Sequence, residues 1–249
     1  YLEQVEAIQR LDARIILMAS RALARVAKGP ADYLHVYDRV LAACDRPVIL
    51  HWLGEMFDPQ LAGYWGAPNF DGALDTALEV IHRNQSKVDG IKISLLDKDK
   101  EIAMRRRLPA GVRMYTGDDF NYPELIEGDD HGFSHALLGI FDPLAPAAAY
   151  AVGQLGQGNA AGFRATLDPT VPLARLIFRA PTQYYKTGVV FLAWLNGFQN
   201  HFVMLNGAQA MRPLPYFTDV FRLADGCGLL RDPDLAVQRM KRLLALYGA

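Results

Sequence analysis

Five short apolar runs, separated by helix-patterned stretches and never joined to one another by a hairpin signal, constrain this chain more than any other feature. The runs are Arg14-Ile15-Ile16-Leu17-Met18-Ala19, Val48-Ile49-Leu50-His51-Trp52-Leu53, Gly90-Ile91-Lys92-Ile93-Ser94, Val112-Arg113-Met114-Tyr115-Thr116 and Ala136-Leu137-Leu138-Gly139-Ile140-Phe141. Strands of this kind, short and apolar on both faces, belong to a parallel sheet that is covered on both sides. The connectors carry the complementary pattern. Leu2, Val5, Ile8 and Leu11 recur every third position, Asp32 opens a helix with Leu34, Tyr37, Leu41 and Cys44 on one side, and Asp71 opens another that aligns Leu74, Leu78 and Ile81. Such alternation predicts right-handed βαβ units. After about residue 143 the strand signals stop and the rest is predicted helical, including one long helix from Thr182 to Asn206. Its stripe of Phe191, Trp194, Leu195, Phe198, Phe202 and Leu205 reads as helix–helix core.

Composition narrows the function classes. A formal net charge of −1 supplies no field to gather nucleic acid or anionic lipid, and the run Met104-Arg105-Arg106-Arg107 reads as a solvated helix end. No stretch of about 18 apolar residues occurs, and Tyr1-Leu2-Glu3-Gln4 does not open a signal peptide. Neither a nucleic-acid nor a membrane partner is expected. The two cysteines, Cys44 and Cys227, lie outside any metal-ligand spacing and read as small buried hydrophobes, with the cytoplasm as the default compartment.

Lys92 is the most informative single residue. It falls inside a strand between apolar Ile91 and Ile93, where desolvation disfavours the ammonium and readies an amine to attack a carbonyl. A strand-end lysine paired with a carboxylate fits the same residue, and Lys92 alone leaves both readings open. Its surroundings carry more. His51 and Trp52 end the preceding strand, Thr116-Gly117-Asp118-Asp119 ends the next, and (β/α) barrels place their chemistry at these carboxyl ends.

At these residues the sequence resembles the dihydrodipicolinate synthase and N-acetylneuraminate lyase superfamily of class I aldolases. The match lies in Pro47-Val48-Ile49-Leu50-His51-Trp52, Gly90-Ile91-Lys92-Ile93-Ser94 and Thr116-Gly117-Asp118-Asp119. They correspond to the ends of the family's fifth, sixth and seventh strands. With Arg212-Pro213-Leu214-Pro215, the His-Trp pair looks like a dihydrodipicolinate-synthase-like branch apart from the synthases proper. The resemblance implies an α/β fold of (β/α)8 TIM-barrel type, N-terminally truncated so that strands four to eight are present. Residues 1–158 would form the barrel part and 159–249 a C-terminal helical region. It also implies a Schiff-base lyase acting on a 2-oxo acid or related carbonyl, with Lys92 as nucleophile and no cofactor or metal. His51 stands where the family has a proton-relaying tyrosine. Ser94, Gly117, Asp118, Asp119 and Trp52 would bind substrate, and the chain would assemble as a dimer or tetramer. The loop from Gly54 to Gly72 offers Glu55, Asp58, Tyr64 and Trp65 to shape a pocket of different specificity. Lys186, in a helical setting, reads as structural. Two rival readings stand beside this one. One is a metal-dependent barrel lyase or hydrolase using His51, Asp118, His131 or His135; the other is a degenerate barrel that binds a metabolite.

Overall fold

The computed structural model describes residues 1–248 and contains a five-stranded, wholly parallel sheet in the order β1-β2-β3-β4-β5. The strands are β1 (Ile16–Met18), β2 (Val48–Leu53), β3 (Val88–Ser94), β4 (Arg113–Thr116) and β5 (His135–Ala136). Helices α1 (Leu2–Arg10), α2 (Arg21–Val26), α3 (Pro30–Ala42), α4 (Phe70–Arg83), α5 (Lys98–Arg105) and α6 (Tyr122–Glu127) occupy the connections. The predicted alternation therefore folds as an α/β sheet, and the sheet itself numbers five strands.

Local chemistry sets the helix starts. Ser20, Asn69 and Asp97 each turn a side-chain oxygen onto free amides at the first turns of α2, α4 and α5. Strand register then sorts side chains by face. Leu17, Leu50, Ile91 and Met114 are cross-strand partners, each at most 3% exposed, and join one core with Tyr37, Leu41, Leu78 and Ile81 from α3 and α4. Burying side chains of this size contributes roughly 2 kcal/mol each. The next row along the strands, Met18, His51, Lys92, Tyr115 and His135, projects from the opposite face.

Three local expectations change. The fifth strand stops at Ala136: Leu137 still donates to the Thr116 carbonyl, but Gly139–Phe141 is a 3-10 turn. In the arginine run at the end of α5, Arg106 and Arg107 are solvated as expected, and only Arg105 departs from the reading. Arg105 is almost buried and, with Arg106, pairs with Asp129, while Arg107 pairs with Asp75. Opposite charges distant in sequence decide this.

The chain divides into two compact units between Leu137 and Leu138, upstream of the division expected after residue 158. The second unit is helical: α7 (Ala145–Gly156), α8 (Ala160–Leu167), α9 (Val171–Ile177), α10 (Tyr185–Leu195), α11 (Leu214–Gly226) and α12 (Pro233–Leu246). The third change lies here, because the long helix expected to Asn206 ends at Leu195. Gly197 adopts φ 78°, and its N–H and that of Phe198 fold back to the carbonyls of Trp194 and Ala193. A left-handed glycine closes a helix in this manner. Phe202 nevertheless reaches the core, stacked on Trp194 at 5.8 Å and edge-on to Phe217 at 5.5 Å. Phe198 and Leu205 are exposed. No helix among the described residues is long and apolar enough to cross a membrane.

Candidate active site

β3 is the middle strand, and Lys92 lies in register with His51 on one side and Tyr115 on the other. Strands about 4.8 Å apart make these side chains neighbours on one face. The flanking Ile91 and Ile93 point into the opposite core, at 0% and 1% exposure, while Lys92 itself is half-buried. Lys92 therefore owes its surroundings to the cross-strand row rather than to the isoleucines beside it in sequence.

His51 is buried at 7% exposure, with Nε2 3.0 Å from Ser94 Oγ and Nδ1 2.9 Å from Met18 Sδ. Burial, and then the charge of Lys92, push its pKa down to about 3. The imidazole is neutral at physiological pH. Ser94, 3% exposed, is the next same-face residue on β3 after Lys92 and brings its hydroxyl against the end of β4.

Gly117 completes this wall. Its N–H donates to the Ile93 carbonyl at 2.8 Å, so its α-carbon packs against β3. A Cβ there would lie 2.1 Å from Ser94 Oγ, 2.6 Å from the Ile93 carbonyl oxygen and 2.8 Å from Lys92 Cε. Lys92, His51, Ser94 and Gly117 thus gather at one place.

The other expected substrate contacts are placed differently. Trp52 follows His51 and, by strand alternation, faces the helix side, 5% exposed and stacked on Phe70 at 5.7 Å. It lines a separate cavity of about 300 Å³ with Gly54, Tyr64, Phe70, Leu95 and Lys100, not the Lys92 face. Asp118 is 1% exposed, and its carboxylate accepts the amides of Phe120 and Asn121 and the Asn121 side-chain N–H at 2.7 to 3.0 Å. That carboxylate builds the turn into α6. Asp119 is buried beside it. In the long loop, Tyr64 and Trp65 pack into the core, Asp58 pairs with Arg21 at 2.5 Å, and Glu55 is exposed at the cavity.

Asp129 is taken by Arg105, Arg106 and the His131 amide, and among the described residues no group of three or more His, Cys, Asp or Glu side chains converges as a metal site.

Two features escaped the sequence. Tyr115 donates its hydroxyl to Asp89 at 2.6 Å, and Arg113 holds the same carboxylate. Asp89 occupies a register shift between β2 and β3, which sequence periodicity does not reveal. Glu101 is the second: it is fully buried, and its Oε2 accepts a hydrogen bond from Thr116 Oγ1 at 2.9 Å. In Asp97-Lys98-Asp99-Lys100-Glu101 it reads as one more surface charge. Its spacing of three from buried Met104 was the available signal.

Over residues 1–249 the sequence matches the family described as Protein of unknown function (DUF993). The chain belongs to the DUF993 family. No curated protein matches this DUF993 chain. Among solved structures it is similar to a monomeric dihydrodipicolinate synthase variant, at 16% identity and TM-score 0.67, over 92% of this chain and 70% of that one. The dihydrodipicolinate synthase of Aquifex aeolicus gives 13% and 0.62, covering 93% and 83%. That of Thermotoga maritima gives 12% and 0.58, covering 92% and 81%. At such identities the likeness is one of fold, and the DUF993 chain shares the dihydrodipicolinate synthase fold.

Proposed function

We propose that this DUF993 protein is a lyase of the class I aldolase type, in which Lys92 forms an imine with a 2-oxo acid or related carbonyl compound. The five strands are then the fourth to eighth of a (β/α)8 barrel, and β3 is the sixth. One observation carries the reading: Lys92 stands on the middle strand with neutral His51 in register beside it and the Gly117 backbone against its side chain.

Lys92 Nζ, as the free amine, attacks the carbonyl carbon to give a carbinolamine. Departure of the hydroxyl as water, with the proton it needs delivered from an outside donor through the Ser94 hydroxyl, leaves the positively charged iminium, which accepts the electron pair when the adjacent bond breaks. The imine is its own electrophile, so no metal or organic cofactor enters. His51 cannot serve as a cation near neutrality with its pKa pushed to about 3. It serves instead through its hydrogen-bonding contact with Ser94, whose hydroxyl can pass or receive the proton that the carbinolamine exchanges. Ser94 and Gly117 line the reacting end of the pocket, and assembly as a dimer or tetramer belongs to the same reading.

Borohydride reduction in the presence of a panel of 2-oxo acids, followed by peptide mass mapping, tests this directly. The expected result is a reduced adduct on the peptide that carries Lys92, absent in Lys92→Ala. No adduct with any member of the panel, or an adduct that persists in Lys92→Ala, overturns the assignment.

A further inference from the structure

We propose that Glu101 is a positioning residue of the Lys92 site, its buried carboxyl acting through the Thr116 hydroxyl to hold the Thr116–Gly117 backbone against the lysine. The inference rests on the proposed function for its meaning in catalysis, but its geometry stands apart from it. Glu101 lies in the first turn of α5, the helix that follows the Lys92 strand, and is 0% exposed. Its Oε2 accepts the Thr116 hydroxyl at 2.9 Å, and the same hydroxyl oxygen accepts the Asp118 amide at 3.1 Å. Its Oε1 is buried without a hydrogen bond of good geometry, and the Ser134 hydroxyl lies near enough to stabilise the carboxylate. Thr116 and Asp118 flank Gly117, the residue whose α-carbon packs on Lys92 Cε and Ser94 Oγ. A carboxyl that grips Thr116 on one side and the neighbouring amide through it thus fixes the wall beside the lysine.

A buried acceptor left poorly satisfied is costly, and native structures hold few such groups. The environment of Glu101 also makes its grip variable. Burial raises its pKa to about 7; the hydroxyls of Ser134 and Thr116 and the charge of Arg105 oppose the rise, and Asp118 adds to it. Arg105, one turn along α5, is itself drawn toward Asp129 and the Ser134 hydroxyl. When Glu101 ionises, its bond to Thr116 becomes charge-assisted and stronger. The tighter grip on Thr116 holds the Gly117 wall more firmly against Lys92. A firmer wall slows the reaction of Lys92 with a small external reagent.

Reductive methylation with formaldehyde and cyanoborohydride reads this without any substrate. Labelling of Lys92 is measured by peptide mass spectrometry from pH 5.5 to 8.5, relative to the exposed Lys241 in α12. The Lys92 to Lys241 ratio is divided at each pH by the same ratio in Glu101→Gln, which keeps an acceptor for Thr116 but cannot ionise, so that the titration of the two amines themselves cancels. The divided wild-type ratio is expected to fall about threefold in a step centred near pH 7. Thr116→Val, which leaves the acid and removes the link, is expected to show no such step against the same reference. A flat divided ratio in the wild type, or a step that survives Thr116→Val, overturns the proposal. If 2-oxo-acid trapping fails while the step appears and is lost in Thr116→Val, the catalytic reading falls and the positioning role of Glu101 stands.

Discussion

Gly117→Ala is expected to slow imine trapping at Lys92 by about a hundredfold while leaving the protein folded. The added methyl meets Ser94 Oγ at 2.1 Å, the Ile93 carbonyl oxygen at 2.6 Å and Lys92 Cε at 2.8 Å. Two of these are side-chain atoms that can shift, but the carbonyl belongs to β3, which pairs with strands on both sides. The backbone at 117 must therefore retreat, and the Ile93 carbonyl loses its close donor. Overpacking of this kind costs about 1–3 kcal/mol, which a domain of this size tolerates. Catalysis is less forgiving, since a displacement on the order of 1 Å at a reacting group lowers rates about a hundredfold. Denaturation midpoints and trapping rates measured on the same preparation separate the two effects. A variant that traps at the wild-type rate shows that Gly117 does not shape the site.

Between pH 6.5 and 4.5 the contributions of His51 and Glu101 to the stability of the wild-type protein are expected nearly to cancel, whereas His51→Gln and Glu101→Gln diverge from it in opposite directions. The imidazole of His51 has a pKa of about 3 when folded, against an ordinary 6.5. Above pH 6.5 both states are neutral there; as the pH falls the unfolded chain takes a proton that the folded one refuses, and stability is lost down to about pH 3. Glu101 has the opposite sign, being raised from 4.5 to about 7. Above pH 7 its burial as an anion destabilises the fold, and that penalty is relieved as the pH falls to 4.5. Each contribution changes by about 1.4 kcal/mol per pH unit, so they offset each other where the windows overlap. Removing His51 leaves the Glu101 slope, and stability rises on acidification by up to about 3 kcal/mol over its full window. Removing Glu101 leaves the His51 slope, and stability falls. Urea titrations at pH 7.5, 6.5, 5.5 and 4.5 measure both as differences from the wild type, in which the lowered pKa of His135 adds a loss common to all three proteins, above the range in which the depressed carboxylates Asp89, Asp97 and Asp129 titrate. Parallel curves for the three proteins would show that neither group is buried as described.

The candidate site was partly legible because strand periodicity carries much of it. Placing His51, Lys92 and the Thr116-Gly117 turn at the ends of successive strands of a parallel sheet needed only the apolar runs and their spacing. The family resemblance gives Trp52 to the substrate, although alternation along the strand turns it away from His51 to the other face of the sheet. Asp118 looked available for substrate because sequence does not display the backbone amides of Phe120 and Asn121 that occupy it. The long aromatic helix expected to Asn206 failed for a related reason. Phe202 reaches the cluster around Trp194 by chain reversal at Gly197, and a stripe at helical spacing cannot be told from residues that meet after a turn.

By itself the sequence determined the α/β class, the order of the strands and which strand carries the lysine, because these follow from local pattern and from the short connections it permits. Only the tertiary structure decided what surrounds that lysine. The burial that holds His51 neutral, the approach of Gly117 and the grip of Glu101 on Thr116 all join residues from separate strands and helices. Electrostatics and close packing act through space, so the chemistry available to Lys92 is set by groups that the chain brings together only when it folds.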